Sequence, residues 1–274
     1  CESPSYLGAL NAFNAYQPKF VEVPTDNGGL IPEELDKILE TTPNCKFIYV
    51  IPDFQNPTGR TWSMERRQKF MEVVNKHNLP VLEDNPYGEL RYEGTILPSL
   101  KSMDTKGLVM FLGTFSKIFC PGLRLGWIAA EHSLLSEFVK IKQSADLHTS
   151  NFDQGVADAY MEQYDLDEHV KEIVALYKHR RDLILESMEK YFPAGTEWTH
   201  PEGGLFLWLT FPEGVSARKV FNKCIEMKVA GVIGDAFYPN QKTDRSMRIN
   251  YSNMPDDRIV EGIQRMAKAI KECM

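Results

Sequence analysis

Three short apolar segments, separated by helical patterns, constrain the fold of this chain more than any other feature. They run from Lys46 to Pro52, from Leu79 to Asp84 and from Val109 to Thr114. Apolar segments of this length, without polar alternation, are typical of strands that are covered on both faces. A helical pattern capped by Ser63 and ending near Asn78 lies between the first two. The alternation predicts an α/β unit with a largely parallel sheet, to which a closely following strand at 125–130 is added.

The pattern changes after residue 165, where a long helical stretch rich in Lys, Arg and Glu begins. Further helix and strand candidates follow it, at 204–211, 216–228, 247–251 and 256–273. We expect Gly203 and Gly204, ahead of the first of these strands, to let the backbone approach a neighbouring segment closely. The chain therefore divides into a large α/β domain, residues 1–165, and a smaller C-terminal α+β domain, residues 166–274, which includes the bridging helix.

Composition and charge narrow the classes of protein to which the chain can belong. Its 274 residues are 43% hydrophobic and 25% charged, as is typical of a globular protein with a sizeable core. The net charge of -7 argues against nucleic-acid binding, and the sequence contains no apolar run long enough to predict a membrane span. The five cysteines form no CxxC pair, so we expect no metal site and a reducing, cytoplasmic location. Because the chain begins at Cys1 without a methionine, we also expect it to be a fragment of a longer protein.

Polar residues follow each of the three apolar segments of the α/β unit. They are Asn56-Pro-Thr-Gly59, Asp84-Asn-Pro-Tyr87 and Thr114-Phe-Ser-Lys117. Because parallel strands present their carboxyl ends at one edge of a sheet, where α/β proteins bind ligands, we expect these side chains to converge. A lysine desolvated at such an edge has a lowered pKa and is a better amine nucleophile toward carbonyls. Each segment alone is typical of a turn or a solvated strand end, and only their ordered combination indicates a site.

The combined donors match the requirements of pyridoxal 5'-phosphate. The chemistry of this cofactor needs a lysine that forms a Schiff base and an acid that faces the ring nitrogen, roles for which Lys117 and Asp84 are candidates. Asn56 and Tyr87 could donate hydrogen bonds to the ring hydroxyl oxygen. The phosphate would be held by hydroxyls and a guanidinium, from Thr114, Ser116 and Arg124.

The order and spacing of these residues resemble a known enzyme family. The class I/II aminotransferases of PLP fold type I carry motifs similar to Asn56-Pro-Thr-Gly59, Asp84-x-x-Tyr87, and Ser116-Lys117 followed by Gly122-x-Arg124-x-Gly126-Trp127. Within the family, the chain most resembles the branch of 2-aminoadipate and kynurenine aminotransferases and of the aminotransferase-like domain of MocR-type regulators. The resemblance extends from Tyr6 nearly to the C-terminus.

The resemblance implies both a fold and an activity. The fold is a large domain with a mostly parallel sheet sandwiched by helices, here without its N-terminal part, and a smaller C-terminal α+β domain. The activity is the transfer of an amino group from an L-amino acid to a 2-oxo acid in amino-acid metabolism. The family also implies a homodimer with its active site at the subunit interface.

Individual residues take roles from the same resemblance. The residues implied to be catalytic are Lys117, Asp84 and Tyr87. Those implied to bind the cofactor are Tyr6, which stacks on the ring, Asn56, Asp84, Tyr87, Thr114, Ser116, Lys117 and Arg124. Those implied to bind the substrate are Asn56 and Arg248, the latter clamping the α-carboxylate.

The sequence departs from the family pattern in one respect and leaves two alternative functions open. Family members carry a large N-terminal segment, with a Gly/Ser-Gln phosphate loop and a tyrosine that reaches the neighbouring subunit, which this sequence lacks. A PLP-dependent β-lyase would use the same residues around the cofactor, and a MocR-type regulator would use the same fold as an effector domain. The identity of the amino acid does not follow from the sequence.

Overall fold

The computed structural model describes residues 1–240 and 243–274 of the chain. Within these ranges the helices are α1 (Leu7–Asn14), α2 (Pro32–Thr41), α3 (Met64–His77), α4 (His132–Ala145), α5 (Asn151–Gln163), α6 (Leu166–Tyr191), α7 (Ala217–Glu226) and α8 (Asp256–Glu272). The strands are β1 (Thr25–Asp26), β2 (Gly29–Leu30), β3 (Ile48–Val50), β4 (Val81–Asp84), β5 (Val109–Thr114), β6 (Gly126–Ala129), β7 (Glu197–Trp198), β8 (Phe206–Thr210), β9 (Val232–Ile233) and β10 (Ser246–Asn250). No helix in these ranges is both long and apolar enough to cross a membrane.

The first sheet has the order β3-β4-β5-β6 and supplies one wall of the site described below. Its first three strands are parallel, with Val81 opposite both Ile48 and Val109, as the apolar segments predict. The fourth strand, β6, is antiparallel to β5, with Gly126 opposite Thr114. A parallel return needs a crossover of about a dozen residues or more, usually a helix, whereas β5 and β6 are joined by a turn and one short 3₁₀ segment, Pro121–Leu123.

Buried apolar side chains from residues 23–109 hold α2 and α3 against this sheet. The cluster includes Val50, Val81 and Val109 from the strands and Trp62 and Phe70 from the helical side. The predicted ends of α3 are confirmed. The Ser63 hydroxyl accepts a hydrogen bond from the Arg66 N–H, and Asn78 ends the helix in the left-handed conformation.

The second sheet is antiparallel, with the order β7-β8-β10-β9, and α6, α7 and α8 surround its core. In the longest pairing, between β8 and β10, Arg248 lies opposite Trp208. The buried faces of both strands pack with Met188 of α6 and Ile263 of α8. This is the α+β arrangement that the second half of the sequence predicts.

Two further segments complete the fold. Residues 21–24 form only an isolated bridge between Val23 and Glu2, because Pro24 has no N–H with which to continue a ladder. The helix α5 is not among the elements expected from the sequence, although Phe152, Val156, Tyr160 and Met161 recur at helical spacing along it. Its start is marked by the Ser150 hydroxyl, which accepts a hydrogen bond from the Asp153 N–H.

The expected close approach of the backbone at Gly203 and Gly204 is confirmed. A Cβ atom on Gly203 would lie 2.4 Å from the Leu90 carbonyl oxygen and from the Phe54 ring. Gly204 has φ +74°, a conformation that L side chains rarely adopt. These two glycines therefore let the segment that leads into β8 lie directly against the backbone that follows β4.

Replacing Gly203 by alanine is expected to destabilise the fold by about 1–3 kcal/mol, because the added methyl group overlaps backbone that cannot move aside freely. Gly155→Ala is the matched control. No atom lies within 4 Å of the Cβ that it adds in α5, and alanine in a helix is expected to stabilise by about 0.5–1 kcal/mol. Urea unfolding of both variants checks the prediction, and equal shifts in the same direction would contradict it.

Candidate active site

A cleft of about 660 Å³ lies at the carboxyl ends of β4 and β5 and reaches the second sheet at β10. All of the residues predicted for the site line it: Tyr6, Asn56, Asp84, Tyr87, Thr114, Ser116, Lys117, Arg124 and Arg248. The parallel pairing of β4 with β5 brings the second and third polar segments together. The first segment follows β3, and Arg248 joins from the other sheet.

Asp84 is the last residue of β4 and is held by a tyrosine that the sequence analysis missed. The Tyr49 hydroxyl donates a hydrogen bond of 2.6 Å to Asp84 Oδ2. Burial raises the pKa of Asp84, while this hydrogen bond acts in the opposite direction because it favours the carboxylate. The register of β3 with β4 reveals this contact. Tyr49 pairs with Leu82, two residues before Asp84, so both side chains lie on the same face.

A chain of hydrogen bonds joins the two sheets across the cleft. Arg248 Nη1 donates to Asn56 Oδ1 at 2.9 Å, and Asn56 Nδ2 donates to the Tyr87 hydroxyl at 3.3 Å. Burial raises the pKa of Tyr87, so its hydroxyl keeps its proton at neutral pH. The Tyr87 ring also packs edge-on against Phe206 at 5.9 Å between centroids. Asn56 and Tyr87 are thus held in fixed positions with hydrogen-bonding capacity left over.

Arg248 lies between two aromatic rings. Its guanidinium carbon is 4.1 Å from the centroid of the Phe206 ring and 5.1 Å from that of Phe237. Burial lowers the pKa of Arg248, yet arginine stays protonated at any physiological pH. Its Nε has no hydrogen-bond partner, and no carboxylate of the described residues forms an ion pair with it. The side chain is therefore positioned to receive an anion from the cleft.

The turn after β5 brings three more groups to the cleft. The Thr114 hydroxyl donates to the Leu125 carbonyl at 3.0 Å and accepts a hydrogen bond from the Ser116 N–H at 3.1 Å, which fixes the turn. Arg124 has φ +56° and donates to the Pro121 carbonyl. Lys117 is half-buried, and burial, followed by the charges of Arg124 and Arg248, lowers the pKa of its ammonium group.

The charges that line the cleft are unbalanced. Lys117, Arg124 and Arg248 are cationic, and Asp84 is the carboxylate among the lining residues. A surplus of cations next to hydroxyl and amide donors suits a ligand with more than one anionic group, such as a phosphate together with a carboxylate. The aromatic wall is completed by Tyr6, whose ring lies against the backbone at Gly8.

Comparisons with known proteins agree with this geometry. The family model described as "Aminotransferase class I and II" matches residues 1–266. The "Aromatic-amino-acid aminotransferase 1" of Thermococcus litoralis is 43% identical over 100% of this chain and 66% of its own length. The crystal structure of Pyrococcus horikoshii kynurenine aminotransferase, in complex with PMP, has a TM-score of 0.96 at 41% identity, over 99% of this chain and 68% of that one.

A third relative carries a cofactor derivative in its solved structure. LysN, the alpha-aminoadipate aminotransferase of Thermus thermophilus, complexed with N-(5'-phosphopyridoxyl)-L-leucine, has a TM-score of 0.95 at 33% identity. That match covers 99% of this chain and 70% of the other. The chain thus spans about two thirds of the length of these proteins. The superpositions confirm the predicted PLP fold type I class, and the chain belongs to the class I and II aminotransferase family.

Proposed function

We propose that this chain forms most of the active site of a PLP-dependent aminotransferase, which moves an amino group from an L-amino acid to a 2-oxo acid. The observation that carries the proposal is the convergence of all the predicted site residues on one cleft, from separate segments of the sequence. The names of the relatives support the same class of reaction.

The residues of the cleft fit pyridoxal 5'-phosphate. Lys117 supplies an amine of lowered pKa, and Asp84 a carboxylate that is hydrogen-bonded on one oxygen. We assign the phosphate to Ser116, Thr114 and Arg124, and the ring oxygen to Asn56 and Tyr87. The surplus positive charge of the lining residues would be balanced by the phosphate and by a substrate carboxylate.

Each residue then has a chemical task. The cofactor supplies an aldehyde that condenses with amines and a ring that accepts electrons. Lys117 Nζ would hold the cofactor and, as a free amine once the substrate is bound, would take and return the proton of the substrate α-carbon. Asp84 would favour a protonated ring nitrogen through its negative charge. Arg248 binds the α-carboxylate and so orients the bond that is to be broken.

Replacing Arg248 by glutamine is expected to raise the KM for the amino acid about 10- to 100-fold, because a charged hydrogen-bonded clamp on the carboxylate is lost. Arg245→Gln is the matched control. Arg245 lies just ahead of β10, donates to the Phe211 carbonyl and does not line the cleft. Steady-state kinetics on the amino acid and on the amine that lacks its carboxylate check the role. A loss of the same size on both substrates would contradict it.

A substrate screen tests the reaction class. The protein, expressed from its complete gene with PLP, is offered single amino acids with and without 2-oxoglutarate. Transamination predicts turnover that depends on the 2-oxo acid and releases the amino acid's own 2-oxo acid. Release of pyruvate and ammonia without 2-oxoglutarate would instead establish a β-lyase. Absence of any PLP absorbance on the protein would overturn the proposal altogether.

We also propose a homodimer in the cytoplasm, with a division of each chain into domains at 1–165 and 166–274. Exposed apolar side chains on one region of the first unit support the association. They belong to α4 and α5 and include Val139, Ile141, Phe152, Val156 and Met161. Surfaces of this kind are typical of interfaces with further residues of the same protein or with a second copy. Sedimentation of the protein expressed from its complete gene tests the stoichiometry.

A further inference from the structure

The Tyr49 hydroxyl donates a hydrogen bond to Asp84, which lines the cleft, and this contact has no role in the reaction proposed above. Tyr49 is 3% exposed and lies on β3, while Asp84 ends the neighbouring parallel strand. The hydroxyl donates at 2.6 Å to Oδ2 of the carboxylate. In the described part of the chain, no other hydrogen bond to the Asp84 side chain is formed. Oδ1 is therefore the oxygen left for a ligand in the cleft.

Packing holds the tyrosine in this position. Its ring meets Phe13 of α1 edge-on, at 5.5 Å between centroids. Burial, reinforced by the nearby negative charge of Asp84, raises the pKa of Tyr49 well above its ordinary value. The phenol consequently keeps its proton and acts only as a donor toward the carboxylate. A donor fixed by packing stabilises the charged form of its acceptor without reorganisation.

A carboxylate beside a pyridine nitrogen can keep the shared proton on the nitrogen only if it is the weaker base of the two. Burial makes Asp84 a stronger base, which favours a neutral carboxylic acid and an unprotonated ring. A hydrogen bond from Tyr49 offsets this effect because it stabilises the carboxylate. The ring accepts electrons well only while its nitrogen carries the proton.

We propose that Tyr49 is a positioning residue for Asp84, which holds Oδ2 and keeps the carboxylate ionised so that Oδ1 meets the protonated ring nitrogen of the cofactor. This inference rests on the proposed PLP binding. Tyr49 reaches the chemistry through Asp84 and forms no bond with the substrate. Other titratable or charged groups lie around this pair: Glu2 beyond Tyr49, and Tyr6, Tyr87, Lys117, Arg124 and Arg248 along the cleft.

The test uses PLP labelled with ¹⁵N in the ring, bound to the protein expressed from its complete gene. The ¹⁵N NMR shift reports whether the nitrogen is protonated. In Tyr49→Phe we expect the shift to move toward the unprotonated position and the affinity for PLP to fall about 10-fold, as for the loss of a hydrogen bond to a charged group. We also expect the acid side of the PLP-binding profile to move to higher pH, because the Asp84 carboxylate is protonated more readily without its donor.

Tyr251→Phe is the matched control. Tyr251 is equally buried and donates one hydrogen bond, to the Gly203 carbonyl, but it does not line the cleft. We expect it to leave the ¹⁵N shift unchanged. In an Asp84→Asn background, Tyr49→Phe is expected to change PLP affinity by less than about 2-fold, since residues that act through one another are not additive.

Three results would overturn the inference, and only the third also removes the proposed function. If wild type binds PLP and Tyr49→Phe gives the same ¹⁵N shift and affinity, the role of Tyr49 is wrong and the proposed function stands. An equal effect of Tyr49→Phe in the wild-type and Asp84→Asn backgrounds would show that Tyr49 does not act through Asp84. If wild type itself shows no bound PLP, the proposed function fails and this inference fails with it.

Discussion

Replacing Lys117 by alanine is expected to lower turnover by about 10²- to 10⁴-fold or more, because the cleft loses both its amine nucleophile and its proton carrier. Binding of PLP should persist in part, since the phosphate and ring contacts come from other residues. The absorbance of the bound cofactor should shift to that of a free aldehyde. Absorbance spectra and steady-state rates of the same preparation check both parts.

Two further substitutions separate the amine chemistry of Lys117 from its charge. Lys117→Arg keeps the positive charge of the cleft but presents a guanidinium, which stays protonated and does not condense with the aldehyde. It is expected to be as inactive as the alanine variant. Lys37→Ala removes an exposed lysine paired with Glu34 on α2, away from the cleft, and should leave the rate unchanged. Activity in Lys117→Arg near that of wild type would show that the charge, and not the amine, is what the reaction uses.

Replacing Asp84 by asparagine is expected to lower kcat by about 10²- to 10³-fold, the range seen when one preorganised electrostatic contact at a reaction centre is removed. The change keeps the shape of the side chain and removes its charge. The ring nitrogen then loses the partner that favours its protonation, and the substrate α-proton becomes harder to remove. The KM for the amino acid should change little, because Arg248 is untouched.

Glu83→Gln is the matched control for this prediction. Glu83 precedes Asp84 on β4, is fully buried and accepts hydrogen bonds of 2.8 Å from the Leu100 and Lys101 N–H groups. Alternation along the strand directs its side chain to the opposite face of the sheet. The control is expected to reduce stability and to leave kcat nearly unchanged. Equal losses of kcat in both variants would indicate a general effect of buried charge and contradict the role given to Asp84.

The sequence was sufficient for those parts of the fold and site that depend on local pattern. The apolar segments around Ile48, Val81 and Val109 predicted a parallel sheet, since such runs are typical of strands buried on both faces. Parallel strands in turn place the residues after them at one edge, which is why Asp84 and Lys117 could be expected to meet. The family motifs added the individual roles, which remain predictions until they are tested.

What sequence reasoning missed depends on contacts between segments that are distant along the chain. Tyr49 looked like one more apolar residue of β3, and only the register with β4 reveals that its hydroxyl meets Asp84. Phe237 had no distinctive context, yet it forms one side of the aromatic pair around Arg248. The antiparallel direction of β6 is by contrast a local feature, set by the short connection from β5, and an apolar pattern alone does not reveal it.

The most direct test of the account is to locate the covalent link between protein and cofactor. The protein, saturated with PLP, is reduced with borohydride, digested and analysed by mass spectrometry. The account predicts a phosphopyridoxyl group on the peptide that contains Lys117 and none on that peptide in Lys117→Ala. A reduced adduct on a different lysine, or none on any lysine, would contradict the central claim that this cleft is built around Lys117.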